Sequence, residues 1–182
     1  MGAKWEHKIN SNVPGPLIFE RRARAGDLVS PHTGGVIGVG YEGRTLDELV
    51  TQLVAMDVSR LVDVRLNPIS RKPGLSKTAL GRALTAAGIA YEHRRELGNP
   101  KTNRSGFAGD DTEWKQARSR YQELLRQPEA IEALDAVAKA ASEERVAVLC
   151  FEADEHRCHR DLVLAEARQR LTGAAATRHP AR

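Results

Sequence analysis

Apolar positions in this chain follow two alternating patterns: short dense runs, and longer stripes spaced three and four residues apart. The runs are Val36-Ile-Gly-Val-Gly40, Arg60-Leu-Val-Asp-Val-Arg65, Ile89-Ala-Tyr-Glu-His93 and Val146-Ala-Val-Leu149. Short apolar runs bounded by Gly, Asn or Pro read as strands, and near-continuous ones as strands buried on both faces. After the first run, Leu46, Leu49, Val50, Leu53 and Val54 form a helical stripe, and Thr45-Leu-Asp-Glu48 supplies a capping box. Ser76 caps a second helix through Ala87, which Gly88 closes. A Gly/Asn/Pro-rich loop is expected over residues 98–111, followed by a helix from about Thr112 that carries Trp114, Tyr121, Leu124 and Leu125. Pro128 ends that helix and starts another, striped by Ile131, Leu134, Val137 and Ala138. A last helix covers Asp161–Arg168.

Strands alternating with helices predict an α/β fold: a three-layer structure whose mainly parallel four-stranded sheet has helices on both faces. Strand order 3-2-1-4 is expected, which would set the ends of strands 1 and 4 side by side. The domain is assigned to residues 35–172. Residues 1–34 hold Pro14, Gly15, Pro16, Pro31, Gly34 and the cluster Glu20-Arg-Arg-Ala-Arg24 without a periodic core face, and are read as a flexible basic N-terminal arm. Residues 173–182 are read as a disordered tail.

Composition narrows the class. The 182 residues are 41% hydrophobic and 29% charged, with a mean hydropathy of −0.47. No run approaches the roughly 18 apolar residues of a membrane span. Met1–Lys8 lacks the apolar core of a secretory signal, and Glu6 leaves a myristoylation signal incomplete. Two cysteines eight positions apart, Cys150 and Cys158, make a poor disulfide framework, so free thiols, a cytoplasmic location and no membrane partner are expected. The net charge of +4 fits a phosphate-bearing partner but does not demand one.

The chemistry concentrates in Cys150-Phe-Glu-Ala-Asp-Glu-His-Arg-Cys-His-Arg160, between the last strand and the last helix. Ligands bind at such strand-to-helix turns in α/β sheets, where helix N-termini offer unpaired N–H groups. Cys158 could be a nucleophile activated by the helix start, with Glu152 or His159 moving the proton. Arg160 could fork onto an anion. Alternatively, Cys158 and Arg160 are packing and ion-pairing residues. Cys150, His156, Cys158 and His159 are competent metal ligands, but they lack a CxxC clip and no metal is expected. A phosphatase-like loop is an analogy only: six residues separate Cys150 from Arg157, and Glu152, Asp154 and Glu155 would repel phosphate.

Around the turn, Tyr41 and Glu42 end the first strand and offer acid–base or stacking groups, or simple packing. Asp63 and Arg65 share one face of the second strand, to position a substrate or to form a buried ion pair. Ser70 and Arg71, in a Pro-bounded loop with Lys72, either close over an anionic ligand or form a solvated basic turn. Gly38-x-Gly40-x-x-Gly43 follows a strand and is a weak dinucleotide hint.

Several segments together carry a family resemblance: Ile37-Gly-Val-Gly-Tyr-Glu-Gly-Arg-Thr45, Leu61-Val-Asp-Val-Arg65, Asn67-Pro-Ile-Ser-Arg-Lys-Pro-Gly74, Gly88-Ile-Ala-Tyr91, Glu96-Leu-Gly-Asn-Pro100, Cys150-Phe-Glu152 and Cys158-His-Arg160. In this order, over roughly residues 36–171, the chain resembles the bacterial domain of unknown function family 488. Val39-Gly40 is a departure, since the family usually follows Ile-Gly directly with Tyr or His. The resemblance implies a compact α/β domain and leaves the activity and any cofactor open. The expectation for function is a small enzyme acting on a phosphorylated nucleotide or nucleic-acid ligand. The alternative is a non-catalytic nucleic-acid-binding module.

Overall fold

The structure, a computed structural model, describes residues 34–178. The arm expected over residues 1–34 therefore lies outside the described residues, apart from Gly34. Four strands, β1 (Gly35–Gly40), β2 (Arg60–Asp63), β3 (Ala90–His93) and β4 (Arg145–Cys150), pair in parallel throughout. Among the described residues six α-helices surround them: α1 (Leu46–Ala55), α2 (Lys77–Ala86), α3 (Lys101–Phe107), α4 (Asp111–Leu125), α5 (Pro128–Glu143) and α6 (Arg160–Arg178). The α/β class is as expected. Helix α6 continues past residue 172, where the domain was expected to end.

The strand order corrects the expectation. It is β1-β4-β2-β3, not 3-2-1-4: β4 lies between β1 and β2. Burial explains the arrangement. Val146 through Cys150 are all buried, whereas β1 alternates buried Val36 and Val39 with half-buried Ile37, Gly38 and Gly40. The most apolar strand takes a central position with neighbours on both sides, and the glycine-bearing strand takes an edge.

This order also dictates the layers. From β1 through β2 to β3 the chain advances across the sheet in one direction, and from β3 to β4 it returns. Right-handed crossovers then put the two sets of helices on opposite faces. One core joins α1 and α2 to Val39, Leu61, Ala147 and Leu149. The other joins α4, α5 and α6 to Val62, Val64, Val146, Val148 and Cys150. At the C-terminal sheet edge, the chain leaves β1 and β2 toward one face and β4 toward the other. The divergence opens a crevice at the end of β4, flanked on both sides.

Local signals account for most helix ends. Thr45 and Glu48 form the expected capping box, with Glu48 Oε2 accepting from Thr45 N at 2.7 Å and Thr45 Oγ1 accepting from Glu48 N at 3.3 Å. Ser76 stands at the N-cap of α2 without a side-chain capping bond. Gly88 has φ +73°, which only glycine adopts cheaply. The loop expected over 98–111 instead contains α3. Pro100 begins it, and Asn103 and Phe107, one turn apart, bury against α4. Its composition reads as a loop because tertiary burial, not propensity, stabilises so short a helix. No described helix is long and apolar enough to cross a membrane.

Candidate functional site

A cavity of about 200 Å³ lies in the crevice at the C-terminal end of β4. Tyr41 and Arg65 line it from the α1/α2 side, and Cys150 and His159 from the other. Asn99, Arg104 and Phe107 come from the α3 segment, and Phe151, Glu152 and Arg157 from the turn after β4.

Arg65 is 5% exposed and Asp63 is fully buried. The guanidinium donates from Nε to Asp63 Oδ1 at 2.8 Å and from Nη2 to Oδ2 at 2.5 Å. Its Nη1 donates to Leu75 O at 2.8 Å and to Tyr41 Oη at 3.1 Å. Asp63 also accepts from the Tyr91 hydroxyl at 2.8 Å. Burial works against the Arg65 charge, but the Asp63 hydrogen bonds outweigh it and hold the guanidinium more firmly protonated than usual. The same carboxylate, with burial, pushes the Tyr91 phenol upward.

Opposite this ion pair lies a cluster of two thiols, a carboxylate and an imidazole. Glu152 Oε2 is 3.2 Å from Cys150 Sγ and 3.0 Å from Cys158 Sγ. His159 Nδ1 is 3.8 Å from Cys150 Sγ and 3.9 Å from Cys158 Sγ, and Nε2 is 3.1 Å from the Val64 carbonyl. The ring stacks edge-on against Tyr121 at 5.1 Å. Both cysteines and His159 are buried. The Cys158 hydrogen bond, opposed by burial and aided by His159, brings Cys150 down to about 6. Cys158 moves upward because it donates to Cys150 and is buried. Burial disfavours the His159 charge, but the Cys150 thiolate prevails and raises it. For Glu152, thiol hydrogen bonds, Cys158's foremost, overcome burial and lower the carboxyl.

The sequence-predicted residues divide. Tyr41, Arg65, Glu152 and His159 line the cavity. Asp63 backs it through Arg65. Glu42 is exposed at the rim and accepts from Ala153 N at 3.0 Å, which ties the end of β1 to the cysteine turn. Ser70 and Arg71 lie outside the cavity wall. Ser70 Oγ accepts from Lys72 N, Arg71 is exposed, and their loop contributes Asn67 and Ile69 instead. Cys158 sits behind Cys150 and does not line the cavity; Cys150 does.

Arg160 is 1% exposed and spends its guanidinium on main-chain carbonyls: Nη1 to Glu152 O at 2.9 Å and Val39 O at 3.3 Å, Nη2 to Ala153 O at 3.4 Å. Its Nε is 3.8 Å from Glu155 Oε2. It thereby fastens β1 to the turn after β4. The glycine spacing has the same origin. A Cβ at Gly40 would stand 2.0 Å from Glu152 O, and one at Gly38 2.0 Å from Glu155 Oε2. Close packing, not a dinucleotide loop, occupies those positions.

Arg104, Arg157, Asn99 and Phe151 were not singled out as site residues. Asn99 has a signal in the Leu97-Gly-Asn99 segment and Arg157 in the basic residues of the Cys150–Arg160 turn; Arg104 has none.

A family model described as "Domain of unknown function DUF488" matches residues 45–167. The chain belongs to the DUF488 family. The matched DUF488 span contains α1, the Asp63–Arg65 pair and the whole Cys150–Arg160 turn, and leaves out β1. No curated protein and no solved structure is similar enough to this DUF488 chain to register as a match.

Proposed function

We propose that this DUF488 domain is a small enzyme whose cavity takes a phosphorylated small molecule of nucleotide type, with the Cys150–Glu152–His159 wall supplying the chemistry. The observation that carries this reading is the cavity's composition. Arg104 and Arg157 stand at a concave, partly aromatic pocket, above a buried cluster with perturbed acid–base groups. Arg104 donates through Nε to Asn99 O at 2.9 Å, and Arg157 through Nη1 to Gly109 O at 2.8 Å. Each contact uses one of five guanidinium donors, which leaves capacity for an anion. Arg65 is already neutralised by Asp63, so it shapes the wall more than it attracts charge. Phe151 is 42% and Ile69 84% exposed, an apolar rim suited to a flat ring. Phe151 is held edge-on by Tyr41 at 5.3 Å. Two free buried cysteines support a reducing, cytoplasmic setting.

The cavity's concavity favours a small ligand over the alternative, a non-catalytic nucleic-acid-binding module. Calorimetric titration of the full chain with nucleoside monophosphates and the matching nucleosides tests the choice. Phosphorylated ligands should bind and nucleosides should not. Arg104→Ala and Arg157→Ala should each weaken binding by about tenfold or more, the loss of roughly 1.5–3 kcal/mol for a hydrogen bond to a charged group. Single-stranded oligonucleotide binding that weakens steeply with salt, without mononucleotide binding, would replace this reading by the alternative.

A further inference from the structure

We infer that Cys150, Cys158 and His159, completed by Glu152, form a zinc site at the inner wall of the cavity. The ligand atoms of the two cysteines and the histidine all lie within 4.8 Å of one another. Zinc–sulfur bonds of about 2.3 Å and zinc–nitrogen bonds of about 2.0–2.1 Å set tetrahedral neighbours about 3.6–3.8 Å apart. The sulfur-to-Nδ1 separations of 3.8 and 3.9 Å are close to that edge. Glu152 Oε2, at 3.2 and 3.0 Å from the sulfurs, needs only a small outward shift to become a fourth ligand.

The histidine is oriented for the task. Nε2 faces the Val64 carbonyl at 3.1 Å and can satisfy it only as N–H, which leaves the Nδ1 lone pair for a metal once the ring turns slightly, since Cys150 Sγ lies 3.8 Å from Nδ1 and 4.0 Å from Nε2. A main-chain carbonyl gripping the far ring nitrogen is the usual support of a metal-bound imidazole. Adjacent Cys158 and His159 rarely reach one point; here the turn into α6 brings both to Cys150. His156, the other candidate from sequence, is exposed and outside the group.

Charge supplies an independent reason. Two sulfurs, an imidazole nitrogen and a carboxylate are gathered where water is scarce. The nearest guanidinium group, Arg160 Nη1, is 3.9 Å from Cys158 Sγ and engaged with carbonyls. A divalent cation would balance such a set, and sulfur and imidazole donors favour zinc over magnesium or calcium. Because Cys150, Glu152 and His159 line the cavity, the ion would lie at its inner wall, beside a bound ligand.

The inference does not rest on the identity of that ligand and is tested without it. The full chain, purified without a metal-affinity step, should carry about one zinc per molecule by elemental mass spectrometry. After chelation, titration with cobalt(II) should produce a sulfur-to-cobalt charge-transfer band and the intense visible bands of tetrahedral cobalt, saturating at one equivalent. Cys158→Ser should lose the charge-transfer intensity by about half, and His159→Gln should weaken cobalt binding by at least tenfold, with circular dichroism confirming that each variant is folded. Since a variant could fail to fold, the wild-type titration decides alone. A folded wild-type chain that gives no charge-transfer band, or that is isolated metal-free with Cys150 and Cys158 joined as a disulfide, overturns the site. A band that persists unchanged in folded Cys158→Ser also overturns it.

Discussion

Replacing Asp63 by Ala removes the carboxylate paired with the Arg65 guanidinium. Asp63 accepts from Arg65 Nε, Arg65 Nη2, Arg65 N and Tyr91 Oη, and its own side chain is fully buried. Arg65 is 5% exposed and cannot reach bulk water without moving Tyr41 and Leu75, to which Nη1 is bonded. The variant therefore strands a buried cation and costs about 3–5 kcal/mol, the range for breaking a buried pair from one side. At roughly 2–4 °C per kcal/mol for a chain of this size, Tm falls by about 6–20 °C. Urea denaturation followed by circular dichroism measures the same loss as a shift in midpoint at constant slope. The double variant Asp63→Leu/Arg65→Met removes both charges and should recover most of the loss, because an apolar pair of similar volume avoids both desolvation costs. If Asp63→Ala costs less than about 1 kcal/mol, Arg65 is solvated and the ion pair does not build the cavity wall. If the double variant is as unstable as the single, the cost lies in packing and not in charge.

In chelator-treated protein, a small alkylating reagent should label Cys150 before Cys158. Its rate should rise with pH around 6, the value to which Cys150 is lowered; first labelling at Cys158 would refute the assignment. The same groups should leave stability almost flat near neutrality. Cys150, lowered, gives up a proton on folding and favours the folded state as pH rises toward the ordinary thiol value, whereas His159, raised, takes one up and favours it at low pH. The opposed slopes can be checked by urea midpoints between pH 6.5 and 8.5, and a steep rise across that window would mean that His159 does not protonate. Arg160→Lys should cost about 2–4 kcal/mol in thermal or urea unfolding, since lysine cannot hold the Val39, Glu152 and Ala153 carbonyls together; near-wild-type stability would show the clamp to be dispensable. Gly40→Ala should cost about 1–3 kcal/mol through its clash with Glu152 O and should also weaken ligand or metal binding, because the turn carrying Glu152 must shift; unchanged stability would show that the turn yields freely.

Apolar periodicity along the chain was enough to read four strands, the helices between them other than α3, and the α/β class, because strand and helix periods are set by local backbone geometry. The capping box at Thr45 and Glu48 and the Gly88 terminus were legible for the same reason. So was the position of the Cys150–Arg160 turn, since a parallel strand running into a helix must deliver its turn to the C-terminal sheet edge. Strand order was not legible: any order of four parallel strands satisfies the same local pattern, and the choice depends on which strand gains most from two neighbours. That choice put β4 between β1 and β2, and hence Cys150 between Tyr41 and Arg65. Side-chain roles failed where they hinge on a few ångströms. Cys158 and Arg160, the most conspicuous residues of the turn, are turned inward, one behind Cys150 and the other onto three carbonyls. Arg104, indistinguishable from surface charge along the chain, reaches the cavity beside Arg157 of the turn. Residue type decided which chemistry was available; the packing of α6 and the cysteine turn against the ends of β1, β2 and β4 decided which atoms could meet, because the direction of a side chain is a long-range property of the fold.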